Sequence, residues 1–239
     1  MPPLNVGFGY NELLAVSVVS ARDVLAVGDY LQTYNEPRTL IERWNGSAWS
    51  VQPSPSLGSS QLFGVTATSS RNAWAVGEDS AGGLIEQWNG TTWKVQASPR
   101  LHSGQLLSVA ATSSRNAWAV GSDRSGAVIE HWNGRAWKVQ FRSSSVQLAR
   151  VAATSSRNAW AVGSDSSGAV IEHWNGRTWR VQIRLHVPQP YGVFLSGVAA
   201  TSPTNAWAVG ATTFPITPDS NVQNVSGACW IAVGSVGSR

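Results

Sequence analysis

Cysteine, lysine and charge are all scarce in this chain, and each scarcity closes a route. A single cysteine, Cys229, among 239 residues excludes an internal disulfide and a cysteine-based zinc site, so the fold must be held by packing. Charged residues make up only 13% of the chain, far from the composition of disordered segments. The net charge of +4 rests on fifteen Arg and two Lys scattered singly. No basic run is present to follow a phosphate backbone, which argues against nucleic acid as a partner. No run of about eighteen apolar residues exists, and residues 1–7 hold no basic segment leading into an apolar one, so the chain as given predicts neither a membrane span nor an export signal. It leaves the compartment open. Helical periodicity of apolar positions is missing throughout.

What is abundant is repetition. Trp-Asn-Gly-x-x-Trp begins at Trp44, Trp88, Trp132 and Trp174, with spacings of 44, 44 and 42 residues. Upstream of each lies a second block, Arg-Asn-Ala-Trp-Ala-Val-Gly at 71–77, 115–121 and 157–163, in weaker form at 22–28 and 204–210. A period in this range means a stacked repeat architecture. Within the second copy, 62–68, 73–77, 84–88 and 92–96 have strand composition and are separated by polar turns. Asn89-Gly90 reads as a two-residue hairpin turn. Four antiparallel strands per repeat make one propeller blade, so the fold class is all-β: a β-propeller of about five four-stranded blades in one domain. The blades run approximately over 8–52, 61–97, 105–140, 147–182 and 193–235. In Ala-Trp-Ala-Val the Trp and Val share one strand face and the alanines the other, so a large face can meet a small one. Trp74, Trp118, Trp160 and Trp207 are therefore read as blade-stacking residues.

These blocks resemble those of a group of uncharacterised bacterial Trp-rich β-propeller repeat proteins, whose blades read Asp-Val-Trp-Ala-Val-Gly and Leu-Ile-Glu-His-Trp-Asn-Gly-Thr-Ser-Trp. The resemblance runs from about residue 13 to 210 and implies blade type but no activity. The hairpin ending in Trp also resembles the Asp-box of sialidase-type propellers, whose Ser and Asp are missing here.

The fifth copy has no Trp-Asn-Gly-x-x-Trp, so its blade is expected to be incomplete, with an edge open to self-association. Two closures compete: a five-bladed ring with a short last blade, or part of a longer propeller completed by oligomerising. Function is expected on the face formed by the inter-blade loops and the loops joining second to third strands, because these vary from blade to blade. The candidate ligand-binding residues there are Tyr30, Tyr34, Arg38, Arg100, His102, Arg184, His186, Tyr191 and Phe214, a mixture suited to carbohydrate or protein recognition.

Glu42, Glu86, Glu130 and Glu172 recur in the third strands, and Arg71, Arg115 and Arg157 in the second block; they are read as structural ion-pair partners, since a lone buried acid is costly. A repeated carbohydrate site between blades is the alternative. His131 and His173 read as surface variants, and Asp29, Asp79, Asp123 and Asp165 as isolated loop acids. No nucleophile–base pair, carboxylate pair or metal-ligand spacing stands out, so no cofactor and no metal are expected. The resulting reading is a non-catalytic binding propeller, either protein-interacting or lectin-like, that uses the variable-loop face. The alternatives are a sialidase-like glycan-processing hydrolase and a structural repeat array without ligand.

Overall fold

The computed structural model describes residues 6, 7, 9–55, 58–99, 101, 103–186, 192–213 and 227–234, with the backbone alone for 213 and 227–234. Among these, all regular structure is strand. Blade 1 comprises β1 (Asn11–Ser20), β2 (Asp23–Thr33), β3 (Glu36–Trp44) and β4 (Trp49–Val51). Blade 2 follows with β5 (Ser60–Ser69), β6 (Asn72–Asp79), β7 (Gly82–Trp88) and β8 (Trp93–Val95). Blade 3 has β9 (Gln105–Ser113), β10 (Asn116–Asp123), β11 (Gly126–Trp132) and β12 (Trp137–Ser143). Blade 4 has β13 (Val146–Ser155), β14 (Asn158–Asp165), β15 (Gly168–Trp174) and β16 (Trp179–His186). In blade 5 the described strands are β17 (Gly192–Ser202), β18 (Asn205–Thr213) and β19 (Gly227–Gly234). Each sheet is antiparallel in sequence order. The innermost strands β1, β5, β9, β13 and β17 pack side by side in chain order.

Alternation along each strand decides which neighbour it meets. In blade 2, Ala73, Ala75, Leu84, Trp88 and Trp93 join Leu25, Val27 and Ile41 of blade 1. Trp74, Val76 and Ile85 join Leu106, Val109, Ala117, Ala119 and Trp137 of blade 3. Small alanines on one face leave room for the preceding blade's large side chain. The indole of Trp74 lies 5.1 Å from those of both Trp132 and Trp137; Trp118 lies 5.2 Å from Trp174 and 5.3 Å from Trp179. The outer Trp pairs of blades 3 and 4 thus clamp the second-strand Trp of the blade before, while Trp88 and Trp93 of blade 2 meet Leu25, and burying such an indole contributes roughly 4–6 kcal/mol.

The first Trp of each clamp also donates from Nε1 to a backbone carbonyl, of Ala21, Ser70, Ser114 or Ser156, at 3.0–3.1 Å. Its outer hairpin differs from the expected two-residue turn. The pairing of Trp88 with Trp93 leaves a four-residue connection, because Asn89 Oδ1 accepts the amides of Thr91 and Thr92 at 2.9 and 3.0 Å, and only Gly90 adopts positive φ, 97°. An Asx turn needs one left-handed residue where a type I′ turn needs two.

Every innermost strand carries a register shift at the same place, putting Leu14, Phe63, Leu107, Ala149 and Ser196 in bulges. The chain there presses so close to the second strand that a Cβ on Gly77 would run into the Gln61 carbonyl, which explains the glycine closing each Ala-Trp-Ala-Val-Gly block. A cavity of about 170 Å³ beside these bulges is lined by Leu14, Phe63, Leu107 and Arg150 among others. No helix among the described residues is long and apolar enough to cross a membrane.

The recurring glutamates do not pair with the recurring arginines. Glu86 and Glu130 are buried at the seam with the preceding blade. There Ser54 Oγ donates to both oxygens of Glu86 at 2.9 and 3.0 Å, and Ser98 Oγ to both oxygens of Glu130 at 3.0 Å. Burial pushes both carboxyls up to about 7, against the opposing hydrogen bonds. Burial likewise raises Glu42 and Glu172. Glu172 has no such serine, because β12 runs almost directly into β13, and its Oε2 is buried without a partner. Arg71, Arg115 and Arg157 are exposed and lie against the outer turns, where a Cβ on Gly90, Gly134 or Gly176 would meet the arginine Cβ at 3.2, 3.1 or 3.0 Å. Their stems cover the turn, and their charge stays in water.

Candidate functional site

The two ends of the blade stack differ in what they leave unengaged. On the end bearing the outer hairpins and the first-to-second-strand turns, polar groups are consumed locally. Asn45, Asn89, Asn133 and Asn175 cap their own turns, and Ser20, Ser69, Ser113, Ser155 and Ser202 accept the amide two residues on. His131 and His173, expected at the surface, are half-buried and structural. The His131 ring stacks on Trp118 at 3.9 Å and its Nε2 lies 2.7 Å from Asn116 Oδ1. Asn116 Nδ2 is already given to Thr112, so Oδ1 accepts and the imidazole donates from Nε2. Burial depresses His131 to about 4 and lowers His173. The same place is filled by Asp23 with Arg43, two hydrogen bonds of 2.8 Å, in blade 1 and by Asn72 with Gln87 in blade 2.

The opposite end carries the variable loops, and there blades 3 and 4 differ from blades 1 and 2. The long strands β12 and β16 bring Arg142 to Asp123 and Arg184 to Asp165, the latter at 3.2 Å. For Asp123, burial is outweighed by hydrogen bonds and charge from Arg142 and Ser125; for Asp165, by Ser167, Arg184 and Gly168; both carboxyls are held below the usual range. In blades 1 and 2 the outer strand has only three residues, so no arginine arrives. Asp79 uses Oδ1 to cap its turn, accepting Ala81 and Gly82 amides at 2.7 and 3.1 Å, and Glu78 beside it is raised by burial. Among the described residues neither has a basic partner. Ser59, Ser60, Gln61, Glu78, Asp79 and Ser80 line a concavity of about 200 Å³ there.

Blade 1 adds a cluster at the same end. Asp29 is 1% exposed; burial raises its carboxyl, a hydrogen bond from Gln61 opposes, and Glu12 reinforces. Its Oδ1, Asn11 Nδ2 and Arg38 Nε are buried without hydrogen-bond partners, a costly concentration of unmet polar groups. Tyr30 pairs across the ladder with Arg38, and Arg38 reaches Glu36 at 3.6 Å. The Tyr10 hydroxyl donates to Glu12 at 2.6 Å. Tyr34, at the hairpin tip, is 88% exposed.

Of the nine ligand-binding candidates, Arg100, His102, Tyr191 and Phe214 lie outside the described residues. Tyr30, Tyr34 and Arg38 belong to one hairpin of blade 1, while Arg184 and His186 share β16 of blade 4. No concavity described above is lined by any of these five. Composition points to them; the sequence reads Asp29 and Asp79 as isolated loop acids and does not single out Glu78, and the short outer strands of their blades set these three apart. Among the described residues, no three His, Cys, Asp or Glu side chains gather as a metal would require.

No family model and no curated protein matches the sequence. Solved structures do match in shape. One is YCF48 bound to D1 peptide, at 20% identity and a TM-score of 0.54, covering 89% of this chain and 66% of that one. Another is the GH74 xyloglucanase from Xanthomonas campestris, at 13% identity and 0.58, covering 92% of this chain and 38% of that one. A third is a luciferin-regenerating enzyme, at 12% and 0.53, covering 92% and 76%. This chain is a β-propeller. At such identities the likeness shows the fold alone, and the propeller spans 66% and 38% of the first two chains. Functions found on one fold are too diverse to be transferred with it.

Proposed function

We propose that this propeller is a non-catalytic binding module that takes a protein segment on its variable-loop end, over blades 1 and 2. The observation that carries the reading is the unequal treatment of the loop acids: Asp123 and Asp165 are neutralised by Arg142 and Arg184, while their repeat equivalent Asp79 and the adjacent Glu78 flank an open concavity with no described basic partner. Tyr34, at the β2–β3 tip of the adjacent blade, offers an exposed ring. Acids beside aromatic faces suit a ligand with Lys or Arg side chains, whose charge is met by the carboxylates and whose stem or guanidinium lies on tyrosine. A propeller of similar shape is known in complex with a peptide, which supports a protein ligand for the scaffold type.

A displayed peptide library and a glycan array, applied in parallel to the wild type and to a Glu78→Gln/Asp79→Asn variant, test the reading. Asparagine keeps the Oδ1 that caps the turn, so the variant removes charge without removing the cap. Enrichment of basic peptides whose affinity falls about tenfold or more in the variant is expected. Binding of glycans but of no peptide, or peptide binding indifferent to the variant, overturns it.

A further inference from the structure

We infer that blades 1 and 5 carry the two opposite halves of the blade seam, and that a second copy of this chain fills them head to tail. Repeat-equivalent residues serve as internal controls. Leu62, Leu106, Leu148 and Leu195 are at most 2% exposed, whereas Leu13 of blade 1 is 44% exposed. Val65, Val109 and Val151 are 9%, 7% and 6% exposed; Val16 is at 63%. Leu13 and Val16 pair with Gly28 and Ala26 on the face that in blades 2 to 4 meets the preceding blade. At the other end, Trp74, Trp118 and Trp160 are 0%, 0% and 3% exposed, and Trp207 is at 52%. Phe194, across from Ala211 on the same face, is 43% exposed. The sequence at these positions is that of a covered blade, while the structure leaves them bare. Among the described residues, blade 5 makes no extended packing on blade 1.

The two faces are not interchangeable, and that identifies the occupant. Blade 5 offers an unclamped tryptophan, Trp207. Blade 1 offers an unoccupied clamp, Trp44 and Trp49, with rings 5.9 Å apart, like the 6.1 Å and 6.0 Å pairs that grip Trp74 and Trp118. A contact between Trp207 of one copy and Trp44 with Trp49 of the next repeats the seam already formed between successive blades, with Leu13 and Val16 covered as their counterparts are. Such an interface is heterologous, and it closes into a ring or propagates according to the angle between copies. It buries blade faces, unlike the strand-edge pairing that the incomplete blade suggested, and it is independent of the ligand proposed above.

The test is sedimentation velocity from about 1 µM to about 1 mM on the wild type, Trp207→Glu, Val16→Glu, and an equimolar mixture of the two variants. Both substituted side chains are already more than half exposed, so folding is expected to survive, and far-UV circular dichroism with thermal unfolding verifies it. The wild type should gain mass with concentration. Each variant alone should stay monomeric, and the mixture should form a one-to-one pair and nothing larger, because one intact face remains on each partner. A wild type monomeric throughout, or a single variant that associates as the wild type does, overturns the inference.

Discussion

A carboxyl group that stays half protonated at neutral pH reverses the usual relation between acid and unfolding. Glu86 and Glu130 have an ordinary value of 4.5 and are pushed up to about 7 in the fold. The folded state therefore holds more protons than the unfolded one between these values. Their contribution is fully present below 4.5 and is lost as pH rises through about 7, by up to about 3 kcal/mol for each residue. His131 acts from the other side: its depression to about 4 means that stability falls as pH drops below its ordinary 6.5. The two windows overlap, and there the pair of carboxyls outweighs the one imidazole, so stability should fall as pH rises toward about 7 and level off above it. Melting temperatures measured from about pH 5 to about pH 9 check this. Glu86→Gln/Glu130→Gln should abolish the fall below about pH 7, and His131→Gln, which copies Gln87 of blade 2, should steepen it. A wild-type melting temperature that rises from about pH 5 to about pH 7 shows that the two carboxylates ionise without cost.

Between blades, the same residue type has very different weight depending on whether a neighbour covers it. Trp118 sits between His131 and the Trp174–Trp179 clamp, so Trp118→Ala should cost roughly 3–5 kcal/mol in denaturant unfolding. Trp207→Ala, measured on the dilute chain, should cost less than about 1 kcal/mol because half of its surface is already in water. Equal losses contradict the seam assignment. Much at this scale could be read beforehand: strand number, the alternation of Trp and Val against Ala, and the repeat boundaries follow from period and turn residues. The seam serines could not, because Ser54 is 32 residues from Glu86 and lies in a connection that reads only as polar loop. The linked changes Asp23 with Arg43, Asn72 with Gln87 and Asn116 with His131 were visible as changes at matched repeat positions. Their meaning needed the register that places β2 against β3, β6 against β7 and β10 against β11. Which loops vary from blade to blade was legible in the sequence, whereas which outer strands are long enough to deliver an arginine to the acids there was not.

A stack of blades that each touch only their neighbours distributes stability along one dimension, as the sum of blade terms and seam terms. Blades 2, 3 and 4 have two seams; blades 1 and 5, among the described residues, have one. Opening an end therefore disrupts one seam, while opening blade 3 disrupts two, and native-state hydrogen exchange reads that difference directly. In the dilute chain the slowest amides should lie in β6, β10 and β14, with β2 and β18 exchanging faster although their strands are at least as long and fully laddered on both sides. Protection as high in β18 as in β10 means that the end faces are not open in solution. The same measurement at high concentration carries a second expectation: if copies stack through Trp207 and the Trp44–Trp49 clamp, protection in β2 and β18 rises toward that of the central blades, while β10, whose two seams are already filled, does not change.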